Sequence, residues 1–334
     1  MNSPAMFSTR LQSLRDDLQR TAGAPKDAPM GLPGVYYTDP EYFAHEEATL
    51  LRQTWHCVGR ADELPNQGDF RTFSLMGEPV VLVRDQGQLR TFANVCRHRG
   101  MPIATGQGTA KRFVCRYHAW TYGTDGALLR APRMENQGFD PKTCRLSTYP
   151  CKELFGFVYV CPAVTAPPFE EDLAGLEALI RPYAPEAFRL VHVAQETWAC
   201  NWKALVENFM EGYHLSVVHP QTLHGYTPTG LSRKGPAGPG FTSYFANYPK
   251  DIPARGQGAP GLSDEARHRS TLFAVFPCQV VSVAASLLVS LCLVPRTPNS
   301  VDVRWTLSTY GDDLDEGTLA QRVALWEEVN AEDR

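Results

Sequence analysis

The sequence lacks a surplus of either charge: 32 Lys and Arg stand against 36 Asp and Glu, a net charge of -4 spread without long runs. No basic stripe for nucleic acid or anionic lipid can be built from it, so a nucleic-acid role is excluded. The opening stretch MNSPAMFSTRLQSLRDDLQR carries charges throughout and has no apolar core followed by small residues, so it does not read as a secretory signal and a cytoplasmic location is expected. No G-x-G-x-x-G follows a strand-like segment, which leaves a nicotinamide cofactor without a seat in this chain. Internal repeats are also missing. The cysteines number nine, an odd count scattered from Cys57 to Cys292, which argues for reduced thiols and metal ligation rather than a disulfide framework. One long uncharged run, Leu272 to Val294, has the length of a membrane span. It contains Pro277, Gln279 and three serines, is rich in β-branched residues, and leads into the strand-like VDVRWTLSTY. Two buried strands are the better reading, and no membrane association is expected.

What is present fits two compact units with separate cores, the natural solution for 334 residues. The first fifty residues look helical at both ends, around a Gly/Pro-rich break from Ala24 to Gly34. From Thr54 to about Cys161 short apolar runs alternate with turn residues (DFRTFSL, EPVVLVRD, LRTFANV, RFVC, FGFVYV), the texture of a small all-β unit. A Pro-rich link at Pro162 to Pro168 precedes a helical DLAGLEALIRPY and a strand-like LVHVAQETWAC. A polar helix is predicted from Asn201 to Pro220. Residues Gly225 to Gly261 are crowded with Gly and Pro yet keep Tyr226, Phe241, Tyr244, Phe245 and Tyr248, which predicts an ordered or ligand-ordered loop rather than a linker. The expected fold class is α+β, divided into an N-terminal segment (1–50), an all-β domain (51–165) and a larger helix-and-sheet domain (166–334).

Two Cys/His pairs stand inside the β unit: Cys96-x-His98 in NVCRHRGMP and Cys115-x-x-His118 in FVCRYHAWTYGTDG. Each half offers a thiolate and an imidazole on a tight loop. Such a set suits a Rieske-type [2Fe-2S] cluster, in which two His replace two Cys on one iron. A structural zinc would accept the same four ligands.

A second constellation lies in NWKALVENFMEGYHLSVVHP. On a helix Glu207, Glu211 and His214 share one face, with a carboxylate one turn before an imidazole. Pro220 disfavours the α conformation at His219, so the helix is predicted to end there and let the second imidazole swing back. Two neutral imidazoles are two-thirds of a 2-His-1-carboxylate site for non-haem Fe(II). In the C-terminal LAQRVALWEEVNAEDR, helical spacing puts Leu319, Val323, Trp326, Asn330 and Asp333 on one stripe. Asp333 is the candidate third ligand, since an inward carboxylate wants a partner or a metal. The plainer alternative is a solvated chain end at Glu332 and Asp333.

The pattern Asn-Trp-Lys-x-x-x-Glu-Asn-x-x-Glu-x-Tyr-His-x-x-x-x-His, together with His-Arg-Gly after the first pair and Tyr-His-Ala-Trp-x-Tyr around the second, resembles the α subunits of Rieske non-haem iron oxygenases, the ring-hydroxylating oxygenases, from about Tyr36 to the end. The flanks favour the cluster over zinc. The places where the respiratory Rieske protein carries an extra loop cysteine hold Met101 and Tyr117, so the oxygenase or ferredoxin branch is implied. The resemblance implies a Rieske domain joined to a helix-grip catalytic domain. It implies Cys96, His98, Cys115 and His118 as cluster ligands, and His214, His219 and Asp333 as ligands of a mononuclear Fe(II). Glu211 matches a carboxylate bridging to the cluster ligand His118 of a neighbour in a homotrimer, and Asn208 a residue beside the open iron position. The implied activity is a mono- or dioxygenase that uses O2 to hydroxylate or oxidatively demethylate a small aromatic or quaternary ammonium compound. Its electrons would come from NAD(P)H through a separate reductase, with or without a ferredoxin. The bridging residue is Asp in many ring dioxygenases and Glu in several relatives that oxidise quaternary ammonium compounds. Arg116 and Ala119 depart from the family's usual Pro and Gly, and the chain stops at Arg334, where members usually continue with a further helix. The competing classes are a Rieske electron-transfer protein, which has no use for the histidine-carboxylate segment, and a ligand-binding protein, which needs neither metal set.

Overall fold

The computed structural model describes residues 8–23, 31–134, 138–311 and 315–334; part of the Gly/Pro-rich break from Ala24 to Gly34 thus lies outside the described residues. Helix Thr9–Ala22 opens on Ser8, whose hydroxyl accepts the Leu11 amide at 3.0 Å. Helix Pro40–Thr49 opens on Asp39, with proline at its first position. Helix Pro40–Thr49 and the short Val35–Thr38 turn before it reach the C-terminal half: Lys203 Nζ donates to Glu46 at 2.6 Å with both side chains nearly buried, and Asn201 Nδ2 donates to the Tyr37 carbonyl at 2.8 Å.

The β unit contains a five-stranded antiparallel sheet in the order Gln107–Thr109, Asp69–Leu75, Glu78–Asp85, Gln88–Ala93, Thr148–Tyr149, and a three-stranded sheet of Arg112–Val114, Thr121–Gly123 and Leu128–Arg130. Strand Glu78–Asp85 shows how the alternation of a strand positions a site. Val80 and Leu82 face the large core shared with the C-terminal sheet, whereas Val81 and Val83 face the core that holds Cys96, Cys115, Trp120 and Tyr122. The loops that carry the thiols are therefore seated on one face of a buried strand. A further small sheet, His56–Arg60 with Phe157–Val160 and Cys151–Leu154, joins the two ends of this unit to the C-terminal cores.

The C-terminal half is built on a seven-stranded antiparallel sheet in the order Phe188–Trp198, Ser300–Tyr310, Leu287–Thr297, Gln279–Val283, Arg269–Val275, Phe241–Asn247, Ser232–Lys234. Helix Trp202–Phe209 and the C-terminal helix Glu316–Asp333 pack on it through Trp202, Leu205, Trp326 and Val329.

Three local expectations need correction. The uncharged run Leu272 to Val294 crosses three strands, not two, because turns at Phe276–Cys278 and Ala284–Ser286 are themselves apolar and buried in part. Among the described residues no helix is long and apolar enough to cross a membrane. The ordered loop expected over Gly225 to Gly261 contains two strands of the sheet, Ser232–Lys234 and Phe241–Asn247. Finally, the Asn201–Pro220 helix is broken: it stops at Phe209 and a short turn of helix resumes at Leu215–Val218. Gly212 sits in the break, where a Cβ would come within 2.2 Å of Ser232 Oγ. Next to it, the Glu211 carboxylate accepts the Tyr213 and His214 amides, a side-chain-to-backbone bond that competes with helix continuation.

Candidate metal centres

Cys96 and Cys115 open twin loops. In the first, the Cys96 amide donates to the Met101 carbonyl at 2.8 Å and Gly100 donates back to Cys96 at 3.0 Å; in the second, Cys115 donates to Trp120 at 2.8 Å and Ala119 back to Cys115 at 3.0 Å. The fourth residue after each cysteine is left-handed, Gly100 at φ 73° and Ala119 at φ 56°. Alanine at this φ costs roughly 1–2 kcal/mol relative to glycine, so the departure at Ala119 is a strained copy of the same turn. Arg116 is exposed, and nothing in the structure explains its replacement of proline.

Both thiols are buried and both imidazoles lie nearer the surface, His98 half-buried and His118 exposed. Their rings stand 4.6 Å apart, and the His98 ring stacks on Trp120 at 4.9 Å. His98 Nδ1 is buried without a hydrogen-bond partner, an orphaned lone pair that a metal would satisfy. Burial, then the neighbouring His118 and Arg99, lower the His98 pKa and favour the neutral imidazole that ligation needs. Tyr122 was given no role by spacing. Its hydroxyl accepts the Arg97 amide at 3.0 Å and lies 3.3 Å from Cys96 Sγ, in position to donate to a thiolate. Burial, then the bond to Cys96, raise its pKa, so the donating proton is retained. A tyrosine two residues past the Trp of the second loop was the available signal.

Among the described residues, one group of three or more His, Cys, Asp or Glu brings its ligand atoms within 4.8 Å of one another: His214, His219 and Asp333. The four Cys/His side chains of the loops do not close on a point in this way. A single tetrahedral zinc requires such closure, and a two-iron cluster does not.

The closing group is assembled from the helix break and the chain end. His214 and His219 flank the short Leu215–Val218 turn, with ring centroids 5.3 Å apart. Both Nε2 atoms face Asp333 Oδ1, at 3.8 Å from His214 and 3.2 Å from His219. Each Nδ1 in turn meets a carboxylate: His214 is bonded to Glu211, and His219 to Glu332 at 2.7 Å. Carboxylates of this kind fix the tautomer and orientation of a metal-binding imidazole. Burial works to keep His219 neutral, yet Asp333 and Glu332 outweigh it and raise its pKa, so the pocket favours positive charge at this position. Asn208 Nδ2 donates to Asp333 Oδ1 at 3.0 Å, an anchor for that carboxylate. Glu207, predicted on the same face, points elsewhere and accepts the Tyr37 hydroxyl.

Glu332 is a second residue, after Tyr122, whose role spacing does not reveal. Beyond the solvated chain end expected of it, its carboxylate also accepts the Thr222 hydroxyl at 2.6 Å and is largely shielded. The acidic pair at the C-terminus thus splits its work, Asp333 toward both imidazoles and Glu332 behind one of them.

A narrow cavity of about 30 Å³ is lined by Leu215, which directly follows His214, with Leu223, Tyr244, Leu272 and Trp326 among others. Of the five aromatic residues singled out in the sequence, Tyr244 alone lines it. Phe245 follows it on the strand and points to the opposite face, where Arg269 stacks at 3.8 Å. Phe241 lies in a separate core, and Tyr226 and Tyr248 face Arg255.

Fold and site together define a class: a two-centre redox protein, with a Cys/His cluster cradle on small β sheets and a 2-His-1-carboxylate group on a helix-covered antiparallel sheet. Residues 54–150 match the Rieske [2Fe-2S] domain, and residues 185–334 match the catalytic domain of the ring hydroxylating alpha subunit. The chain belongs to the Rieske oxygenase α-subunit family, whose cofactors are a [2Fe-2S] cluster and a mononuclear iron. It is 38% identical over 194 residues to the carnitine monooxygenase oxygenase subunit of Escherichia coli K12, covering 57% of this chain and 52% of that protein. It is 34% identical over 211 residues to the glycine betaine monooxygenase oxygenase subunit of Chromohalobacter salexigens, covering 62% and 47%. The matched region thus spans about half the length of these curated relatives. A solved quaternary ammonium Rieske monooxygenase shares the fold, with a TM-score of 0.80, 24% identity, and coverage of 92% of this chain and 83% of that one.

Proposed function

We propose that this chain is the terminal oxygenase component of a Rieske system, with Cys96, His98, Cys115 and His118 holding the [2Fe-2S] cluster and His214, His219 and Asp333 holding a mononuclear Fe(II). The observation that carries the reading is the arrangement around the second group: two Nε2 atoms aimed at one carboxylate, and each Nδ1 restrained by another. When bound, the cluster supplies single electrons and the iron offers open positions to O2 and substrate. The chain's own residues do the rest. Glu211 and Glu332 accept the Nδ1 protons and leave both Nε2 lone pairs free, while Asn208 holds Asp333. Leu215, Leu223, Leu272 and Trp326 form the apolar part of the narrow cavity, and Thr227, Arg255, Ser270 and Ser282 its polar part.

His118 is exposed and Glu211 is 44% exposed in its side chain, and the two are not hydrogen-bonded to each other within the chain. This supports a bridge between subunits, with His118 of one chain meeting Glu211 of the next in a homotrimer. Exposed Tyr117, Tyr213 and Val217 would be covered by the same contact. The electrons come from NAD(P)H through a separate reductase, with or without a ferredoxin, in the cytoplasm. The reading keeps the division into 1–50, 51–165 and 166–334. Since the curated relatives cited above are named for carnitine and glycine betaine, and Glu211 stands at the bridging position, quaternary ammonium compounds lead aromatic rings as the substrate class.

The test is Glu211→Gln in the reconstituted system. With iron supplied in excess, so that a weakened site stays filled, both metals and the cluster colour are expected to stay, while incorporation of labelled O2 into product falls at least about 100-fold, the scale of a lost positioned proton or electron-transfer contact. Wild-type rates in the variant would remove the bridge.

A further inference from the structure

Two arginines of the C-terminal half, Arg255 and Arg322, line one cleft that has no carboxylate among its lining residues. Arg255 lies over the Tyr226 ring at 4.0 Å and near the Tyr248 ring at 5.7 Å, and Arg322 donates to the Ser286 carbonyl and hydroxyl at 3.1 and 3.2 Å. Among the described residues neither forms an ion pair. Burial, then the charge of Arg255, lower the Arg322 pKa. The pair is built into the fold. Ser286 Oγ donates to the Arg255 carbonyl at 2.5 Å, and the next residue, Gly256, is left-handed at φ +85° with room for no Cβ, which would fall 2.7 Å from Ser286 Oγ. Gly258 is likewise left-handed, and its Cβ would meet the Ala285 carbonyl at 2.5 Å. The loop is thus pressed onto the Ala284–Ser286 turn, which fixes where Arg255 leaves it.

Both arginines line a cleft of about 280 Å³ with Tyr226, Thr318 and Gln321. Arg255 also lines the narrow cavity with Leu215 and Tyr244, so it forms a wall common to the cleft and to that cavity, whose Leu215 directly follows His214 in the chain. We propose that Arg255 and Arg322 form an anion-binding subsite that takes the carboxylate of the substrate, so that the substrate is a small organic acid. This rests on the oxygenase reading above and narrows it. A guanidinium pair offers forked donors that match the two oxygens of a carboxylate, and the anion relieves the repulsion between them. A cationic substrate without a carboxylate meets two positive charges instead. The Tyr226 and Tyr248 faces are engaged by Arg255, so they do not also cage a trimethylammonium group while it stays there. A betaine-type zwitterion fits both demands, its carboxylate at the arginines and its ammonium group held away from them.

The test is calorimetric binding to the full, metal-loaded chain, which does not depend on turnover. The probes are γ-butyrobetaine and benzoate as carboxylates, with choline and benzyl alcohol as their carboxylate-free counterparts. At least one carboxylate is expected to bind wild type at least about 10-fold more tightly than its counterpart. Arg255→Gln and Arg322→Gln are each expected to weaken that binding about 10- to 100-fold, with the cluster spectrum unchanged and Arg255→Lys retaining part of the affinity. Equal binding of carboxylates and counterparts, no binding of either carboxylate, or affinities unchanged in both glutamine variants overturns the subsite. Arginine-dependent binding without incorporation of labelled oxygen keeps the subsite and sinks the oxygenase reading. Turnover with arginine-independent binding does the reverse.

Discussion

The two candidate centres differ in how the chain makes them. The loop pair is local: Cys96, His98, Cys115 and His118 come from neighbouring turns of one β unit, each turn closed by its own backbone hydrogen bonds. The His214, His219 and Asp333 group joins a broken helix to the far end of the chain, and its geometry is held by side chains, Glu211, Glu332 and Asn208. A local site inherits its shape from turn chemistry, whereas a distant one depends on the packing of whole elements and on buried polar contacts. The first should tolerate damage to the second, and each should fail by its own route.

That contrast is open to attack at two further positions. Glu332→Gln removes the carboxylate behind His219 and is expected to weaken iron binding at the second centre about 10- to 100-fold. A metal-buffered titration reads this, with the cluster absorbance as the internal reference. An unchanged affinity would mean that the C-terminal helix places His219 by packing alone. The smaller effect lies in the loops: Ala119→Gly relieves the left-handed strain and is expected to add about 0.5–1 kcal/mol of stability, because strain relief outweighs the entropy gained by the unfolded chain. The denaturant midpoint for loss of the cluster spectrum measures it. A fall in that midpoint would show that Ala119 is not strained.

The same contrast explains what was legible in the sequence. Cys96-x-His98 and Cys115-x-x-His118 are readable because the spacing of a tight loop is written in consecutive residues, and the strands DFRTFSL and EPVVLVRD fall where their alternation put them. His214 and His219 were readable as a pair, and the stripe ending in Asp333 placed that carboxylate inward. The helix break at Phe209 was not, since it needs the Gly212 approach to Ser232, a residue on an edge strand of the sheet. Glu332 escaped because its partners, His219 and Thr222, lie more than a hundred positions away. Of the strands within Gly225 to Gly261, Ser232–Lys234 is a three-residue edge strand, and Phe241–Asn247 is set among Gly- and Pro-rich turns that mask its alternation. Tyr244 and Phe245 looked equivalent in composition, and only the sheet assigns them to opposite faces.

Two iron centres are proposed in one chain, one of them completed by Asp333. Iron and acid-labile sulfide counted per chain in the wild type and in Asp333→Ala test it most directly. About three irons and two sulfides are expected in the wild type, falling to about two irons and two sulfides in the variant with the cluster colour intact. Two irons in the wild type, or three retained without Asp333, would contradict it.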